Sequence, residues 1–147
     1  MRRDESRRGK HECLRHILAG ALLSTVALGA QEPRSVWDGV FTQAQSDRGQ
    51  ALYVRECASC HGDTLGGGES APPLVGDGFL ANWNGLTVGD LYDRIRVSMP
   101  QDNPGRLTRQ QDADIVAYML AFNQFPPGKT DLDTHSEVLK QIQIRAK

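Results

Sequence analysis

Apolar side chains recur at helical spacing in four stretches of the chain, and each stretch follows a residue able to cap a helix. Asp47 is a candidate cap for the first, which carries Ala51, Leu52 and Tyr53 and runs to about Glu56. Thr87 and Asp90 form a capping box, with Asp where Glu is usual, ahead of Val88, Leu91, Ile95 and Val97; Pro100 stops that helix. Thr108 and Gln111 open a third, which sets Ile115, Tyr118, Met119 and Phe122 on one face before Pro126 and Pro127 end it. Thr134 and Glu137 repeat the capping pattern before a short segment with Val138, Leu139 and Ile142. No strand alternation persists and no internal repeat occurs. Residues 62–78 and 100–106 are glycine- and proline-rich loops. The pattern predicts an all-α domain wrapped around something other than its own side chains.

The N-terminal stretch follows a different rule. Residues 1–16 are rich in Arg and Lys, and residues 17–30 carry no charge. That apolar run falls short of the roughly 20 residues a bilayer span needs. With small residues at Ala27, Gly29 and Ala30 it has the form of an export signal cleaved near Gly29 or Ala30, an uncleaved anchor being the alternative. Ser6, Arg7 and Arg8 hint at a twin-arginine signal, but the apolar pair expected after it is missing. Cys13 precedes the apolar run and leaves with it. The expected organisation is a signal over 1–30, an extension over 31–44, one domain over 45–128 and a C-terminal extension with a short helix over 129–147. The expected location is the periplasm.

Removing the leader changes the charge. The whole chain has 17 basic and 18 acidic side chains; the first 30 residues hold six and three of them, leaving 11 basic and 15 acidic, a net of −4. That balance argues against nucleic acid or an anionic membrane as a partner; a membrane enters only if the leader is retained. A remainder this short buries a limited core, so a bound apolar group would supply much of its centre.

Cys57, Cys60 and His61 name that group. Two thiols with two residues between them can each add to a vinyl group of one haem, and the histidine that follows is then held beneath the porphyrin. Zinc would need two further ligands, and outside the leader only His135 remains. A redox disulfide motif would sit in an α/β pattern, which is absent. One haem c is therefore the expected cofactor. For the sixth position on iron, Met99 is the leading candidate, because it ends a helix just before Pro100 and can be presented from a loop. Met119 is the rival, at a spacing that more often fills core. His135 or an open site are the remaining alternatives.

At this point the chain resembles class I c-type cytochromes, especially the small periplasmic ones associated with quinoprotein dehydrogenases. The resemblance spans residues 45–128. It rests on Arg48, Gly49, Gln50, Leu52 and Tyr53 ahead of the Cys57, Cys60, His61 and Gly62 motif; on Pro72, Pro73 and Leu74; and on Ser98, Met99 and Pro100 followed by Pro104, Gly105, Leu107 and Thr108. Asp114, Ile115, Ala117 and Tyr118, then Asn123, Phe125 and Pro126, complete it. The resemblance implies the cytochrome c fold, with first and last helices crossing closely where Gly49 and Tyr53 meet Ile115 and Tyr118. It implies that a proline carbonyl, Pro72 or else Pro73, accepts a hydrogen bond from the ligand histidine. It also makes Met99 the distal ligand.

Weaker signals complete the reading. Trp83 and Phe79 are candidates for the haem pocket, with the Trp83 N–H donating to a propionate, or for plain core. Gly66, Gly67 and Gly68 lack the Lys and Ser or Thr of a phosphate loop and read as a turn beside the haem. Tyr92 reads as a loop residue that could reach the pocket. Asp112 and Asp114, two apart on a helix, do not face each other and read as a solvated helix start rather than an acid and base pair. Trp37 and Phe41 could cover the domain or grip a partner.

The expected function is single-electron transfer through a His61- and Met99-ligated haem, between a dehydrogenase, with a quinoprotein as one possibility, and an oxidase or another cytochrome. Such a protein is a carrier, not an enzyme. Two alternatives stand beside it: a displaceable sixth ligand, as in a peroxidase-like enzyme or small-ligand sensor, and a subunit fixed to a dehydrogenase through residues 131–147. The net charge suggests partners with positive patches.

Overall fold

The computed structural model describes residues 33–69 and 71–147. The leader, its cleavage point and Cys13 lie outside them. The described residues form a short 3-10 turn, Val36–Asp38, and six helices: α1 Gln43–Glu56, α2 Ala58–His61, α3 Gly76–Trp83, α4 Val88–Ser98, α5 Arg109–Phe122 and α6 Ser136–Leu139. They contain no strand, only isolated bridges, so the all-α expectation holds. No described helix is long and apolar enough to cross a membrane.

Helix α1 packs most extensively on α5. Gly49 makes that crossing: a Cβ there would overlap the Asp114 carbonyl and approach the Tyr118 Cβ to 2.9 Å. The missing side chain lets the two backbones touch. Above the contact, the Tyr53 and Tyr118 rings lie 5.3 Å apart, and the Tyr118 and Phe122 rings 5.8 Å. The capping boxes expected at Thr87 with Asp90 and at Thr108 with Gln111 are both formed. Val97, counted with the apolar face of α4, is instead 77% exposed.

Helix α1 starts earlier than expected. Thr42, not Asp47, is its cap, accepting from the Gln45 N–H at 3.1 Å. Asp47 sits a turn inside and accepts from Gln43 Nε2 at 2.8 Å. Helix α3 occupies part of the stretch read as loop. Its cap residue, Val75, has no side-chain bond to offer; the Gly76 N–H donates to Asn123 Oδ1 beyond the end of α5. A cap supplied from 47 residues away leaves no local signal. At α6 the Thr134 hydroxyl does not cap. His135 holds that position without a side-chain bond, and the Thr134 carbonyl accepts from the Tyr92 hydroxyl at 2.8 Å.

Both terminal segments fold back on the helices. The Val36 N–H donates to Gln143 O and the Gln143 N–H to Arg34 O. Gly85 and Val88 donate to Ile144 and Ile142, and Ile144 donates back to Leu86. Leu132, Leu139, Ile142 and Ile144 are buried. Phe41 is fully buried, while Trp37 packs edge-on against Phe125 and donates to Arg145 O at 2.9 Å. These two aromatics cover the domain.

Candidate haem site

The sequence builds the near wall of the site in one turn of chain. Helix α1 ends at Cys57, whose N–H reaches Tyr53 O, and α2 then carries Cys60 and His61. Gly62 closes α2 at φ 74°, and its carbonyl accepts from the Tyr53 hydroxyl at 2.8 Å. Gly67 turns the loop at φ 75°, where a Cβ would meet the backbone of Pro72 and Pro73. That turn returns Pro72 to the histidine: His61 Nδ1 lies 3.0 Å from Pro72 O. As donor to the carbonyl, Nδ1 is occupied, and Nε2 is the ring nitrogen left free.

These residues border a cavity of about 730 Å³. Cys57, Cys60, His61, Pro72, Trp83 and Met99 all line it, while Phe79, the other aromatic candidate for the pocket, does not. Buried Tyr53, Leu91, Ile95 and Ile115 supply apolar walls. Met99 caps the C-terminus of α4 in an extended conformation, outside the helical rows, and is only partly buried. Met119 also lines the cavity, but from mid-helix and only 2% exposed. His135 does not line it; its Nδ1 lies 2.6 Å from Asp133 Oδ1. Trp83 is half-buried and its indole N–H bonds to no described residue, whereas Phe79 is wholly in the core. Tyr92 is helical rather than in a loop, and its hydroxyl ties α4 to Thr134.

The alternatives to haem fit poorly. Burial pushes the Cys57 thiol up to about 11, the reverse of the depressed value a disulfide-exchange thiol needs. The two cysteines are not bonded to each other. No cluster of three or more metal-binding side chains occurs among the described residues, which excludes a zinc site there. An imidazole and a thioether on one apolar cavity, beside two thiols at haem-attachment spacing, suit a haem. The volume is also within the range of cofactor sites.

Two features were not legible in the sequence. Asp112 and Asp114 are not solvated: they are 1% and 3% exposed. Asp114 receives Arg48 through Nε and Nη2 at 3.0 and 3.1 Å, and Gln110 at 2.8 Å. Asp112 receives nothing. The second feature is the cavity rim, where Arg55, Arg94 and Arg106 outnumber Glu56 and Asp102. Glu56 is held by Arg55 and Arg106, which keep its carboxyl below the usual range. The negative net charge therefore does not describe the surface around the site.

The model of the family described as cytochrome c oxidase, cbb3-type, subunit III, matches residues 44–119. Comparison with curated proteins gives no match. Among solved structures, the chain is similar to the sulfane dehydrogenase SoxCD from Paracoccus pantotrophus, with 27% sequence identity and a TM-score of 0.52. The similarity covers 78% of this chain and 61% of that one, so the chain spans less than two thirds of its length.

Proposed function

We propose, from the premise that the chain belongs to the family of cytochrome c oxidase, cbb3-type, subunit III, that it carries single electrons through a haem c ligated by His61 and Met99. The chain is a small c-type cytochrome with the cytochrome c fold, haem c is its cofactor and haem-based electron transfer is its chemistry. The finer assignment is as follows. Cys57 and Cys60 would hold the haem through two thioethers. His61 would supply Nε2 and Met99 its sulfur to the iron. Pro72 holds the imidazole through Nδ1, and Trp83 would offer its N–H to a propionate. When bound, the haem supplies a one-electron ferric–ferrous couple.

The observation that carries this reading is that His61, with Nδ1 committed to Pro72 O, shares one apolar cavity with Met99. Two fixed ligands leave little to reorganise on electron transfer. Met99 is preferred to Met119 because it stands free of a helical row at the edge of the core. The alternative of a displaceable sixth site lacks support: among the cavity-lining residues, none besides His61 is a histidine, and no carboxylate except rim Glu56 and Asp102 lines it.

The chain passes electrons from a dehydrogenase to a downstream acceptor in the periplasm, after export directed by residues 1–30. The structural similarity to a sulfane dehydrogenase supports a dehydrogenase as partner, met transiently or as a fixed subunit. The arginine-bearing rim favours a partner with acidic groups around its own redox centre.

Replacing Met99 by Ala tests the proposal. The ferric protein is expected to lose its methionine–iron absorption band, and the ferrous protein to gain rapid carbon monoxide binding that the wild type resists. An unchanged spectrum would remove Met99 as ligand, and fast carbon monoxide binding by the wild type would favour the displaceable site.

A further inference from the structure

One buried group has no role in the reading above. Asp112 lies in the first turns of α5, 1% exposed, and neither carboxylate oxygen has a hydrogen-bond partner among the described residues. Burying a carboxylate without partners is costly, and such sites are kept where the charge is used or the proton is held. Among the described residues, its ion-pair partner is Arg96 on α4, with Nε 3.5 Å from Oδ2, too long for a good charge-assisted bond. Its guanidinium also lies over the Tyr92 ring, 5.7 Å from the centroid. From α4, Arg96 approaches Asp112. The Asp112 charge acts on the Tyr92 phenol of α4 and on Cys57 at the end of α1, where Glu56 is already paired with Arg55 and Arg106. Arg109, three residues before Asp112 on α5 itself, acts on Tyr92 rather than on Asp112.

Ile115 and Met119 line the cavity, and Asp112, which does not line it itself, continues their row on α5 at i, i+3, i+7 spacing. Cys57, on which its charge acts, is a proposed thioether residue. An unsolvated carboxylate therefore sits one helical turn from a residue lining the space where the charge would change by one unit with each electron. Desolvation raises its pKa to about 7, opposed only in part by Arg96, so both protonation states are accessible near neutral pH.

We propose that Asp112 couples proton binding to electron transfer, taking up one proton when the haem is reduced and releasing it on oxidation. This rests on the assignment of haem to the cavity. The balance is simple: the donor gives one electron, ferric iron becomes ferrous, and one proton passes from water to an Asp112 oxygen. When the acceptor removes the electron, iron returns to ferric and the proton returns to water. Ferric iron, the more positive state, favours the carboxylate; ferrous iron favours the acid. Arg96, the ion-pair partner of the carboxyl, is itself 34% exposed. The chain then carries a hydrogen equivalent rather than a bare electron over a window around neutrality.

The test is the reduction potential of the holoprotein from pH 5 to 9, with the visible spectrum recorded in parallel. In the wild type the reduction equilibrium is expected to weaken towards tenfold per pH unit within the window, about 59 mV for a one-electron couple. Asp112→Asn should be flat there with its haem spectrum unchanged, and Asp112→Glu should restore the slope. Proton uptake by the wild type on reduction in weakly buffered solution, read with an indicator dye, serves even if the Asn variant folds poorly. A wild type with a normal His and Met spectrum but no slope and no uptake would overturn the coupling and leave the electron-carrier reading intact. The same slope in Asp112→Asn as in the wild type would assign the proton elsewhere and overturn it as well. A wild type that holds no haem would overturn both.

Discussion

The two faces of α5 use the same residue type to opposite ends. On the face that crosses α1, Asp114 is buried with three hydrogen bonds from Arg48 and Gln110, and Arg48 continues to Asp131 in the C-terminal segment at 2.7 Å. That network joins α1, α5 and the tail, and it raises the Arg48 pKa through the two carboxylates. On the face towards the cavity, Asp112 is buried as deeply with no hydrogen bond and one distant cation. The first carboxylate is bound into the fold. The second is held against it. Burial alone therefore says little about a charged group; its partners decide whether it stabilises the fold or remains available to titrate.

The comparison breaks most severely at the crossing. Gly49→Ala drives a methyl into the Asp114 backbone, which cannot yield as a side-chain tip would. It is expected to cost about 3 kcal/mol or more, read as a lower melting temperature, with α1 and α5 forced apart. On the cavity face, Met119→Ala removes a buried side chain and should cost about 2–5 kcal/mol in urea unfolding. Its haem spectrum should keep the methionine band, since Met99 supplies that ligand; loss of the band would exchange the two assignments.

Asp112→Asn separates the faces by pH. The folded-state pKa of Asp112, about 7, lies above its unfolded value of about 3.9. The folded chain thus binds the proton more tightly, and the stability linked to it is present below the unfolded pKa and lost as pH rises to 7. Between pH 5 and 8 the wild type should lose about 2–3 kcal/mol relative to Asp112→Asn, measured by denaturant unfolding at each pH. Equal pH profiles would show that the carboxyl stays ionised throughout. Arg48→Ala has the smallest effect, about 1–2 kcal/mol, because the arginine is half-exposed while Asp114 keeps Gln110 as a donor. Chemical denaturation of that variant should keep the wild-type pH step up to 7, because Asp112 and its surroundings are unchanged.

What could be read from the sequence follows the range over which each feature is determined. The Cys57, Cys60 and His61 spacing is set within one turn of chain, and the capping boxes at Thr87 and Thr108 within four residues, so all were visible. The Pro72 bond to His61 was implied only by resemblance, since the Gly67 turn that produces it has no unique local code. Helix α3 was missed because its first N–H is satisfied by Asn123. Asp112 and Asp114 were misread because their spacing shows that they face apart but not what each one meets. The terminal segments were read as extensions because their partners, such as Gln143 for Val36, are over a hundred positions away.

Iron X-ray absorption on the oxidised holoprotein is the most direct test of a haem held between His61 and Met99. The expected result is a six-coordinate iron with five nitrogens and one sulfur in its first shell, the sulfur lost in Met99→Ala. A first shell without sulfur, or one whose sulfur survives that substitution, would contradict the assignment.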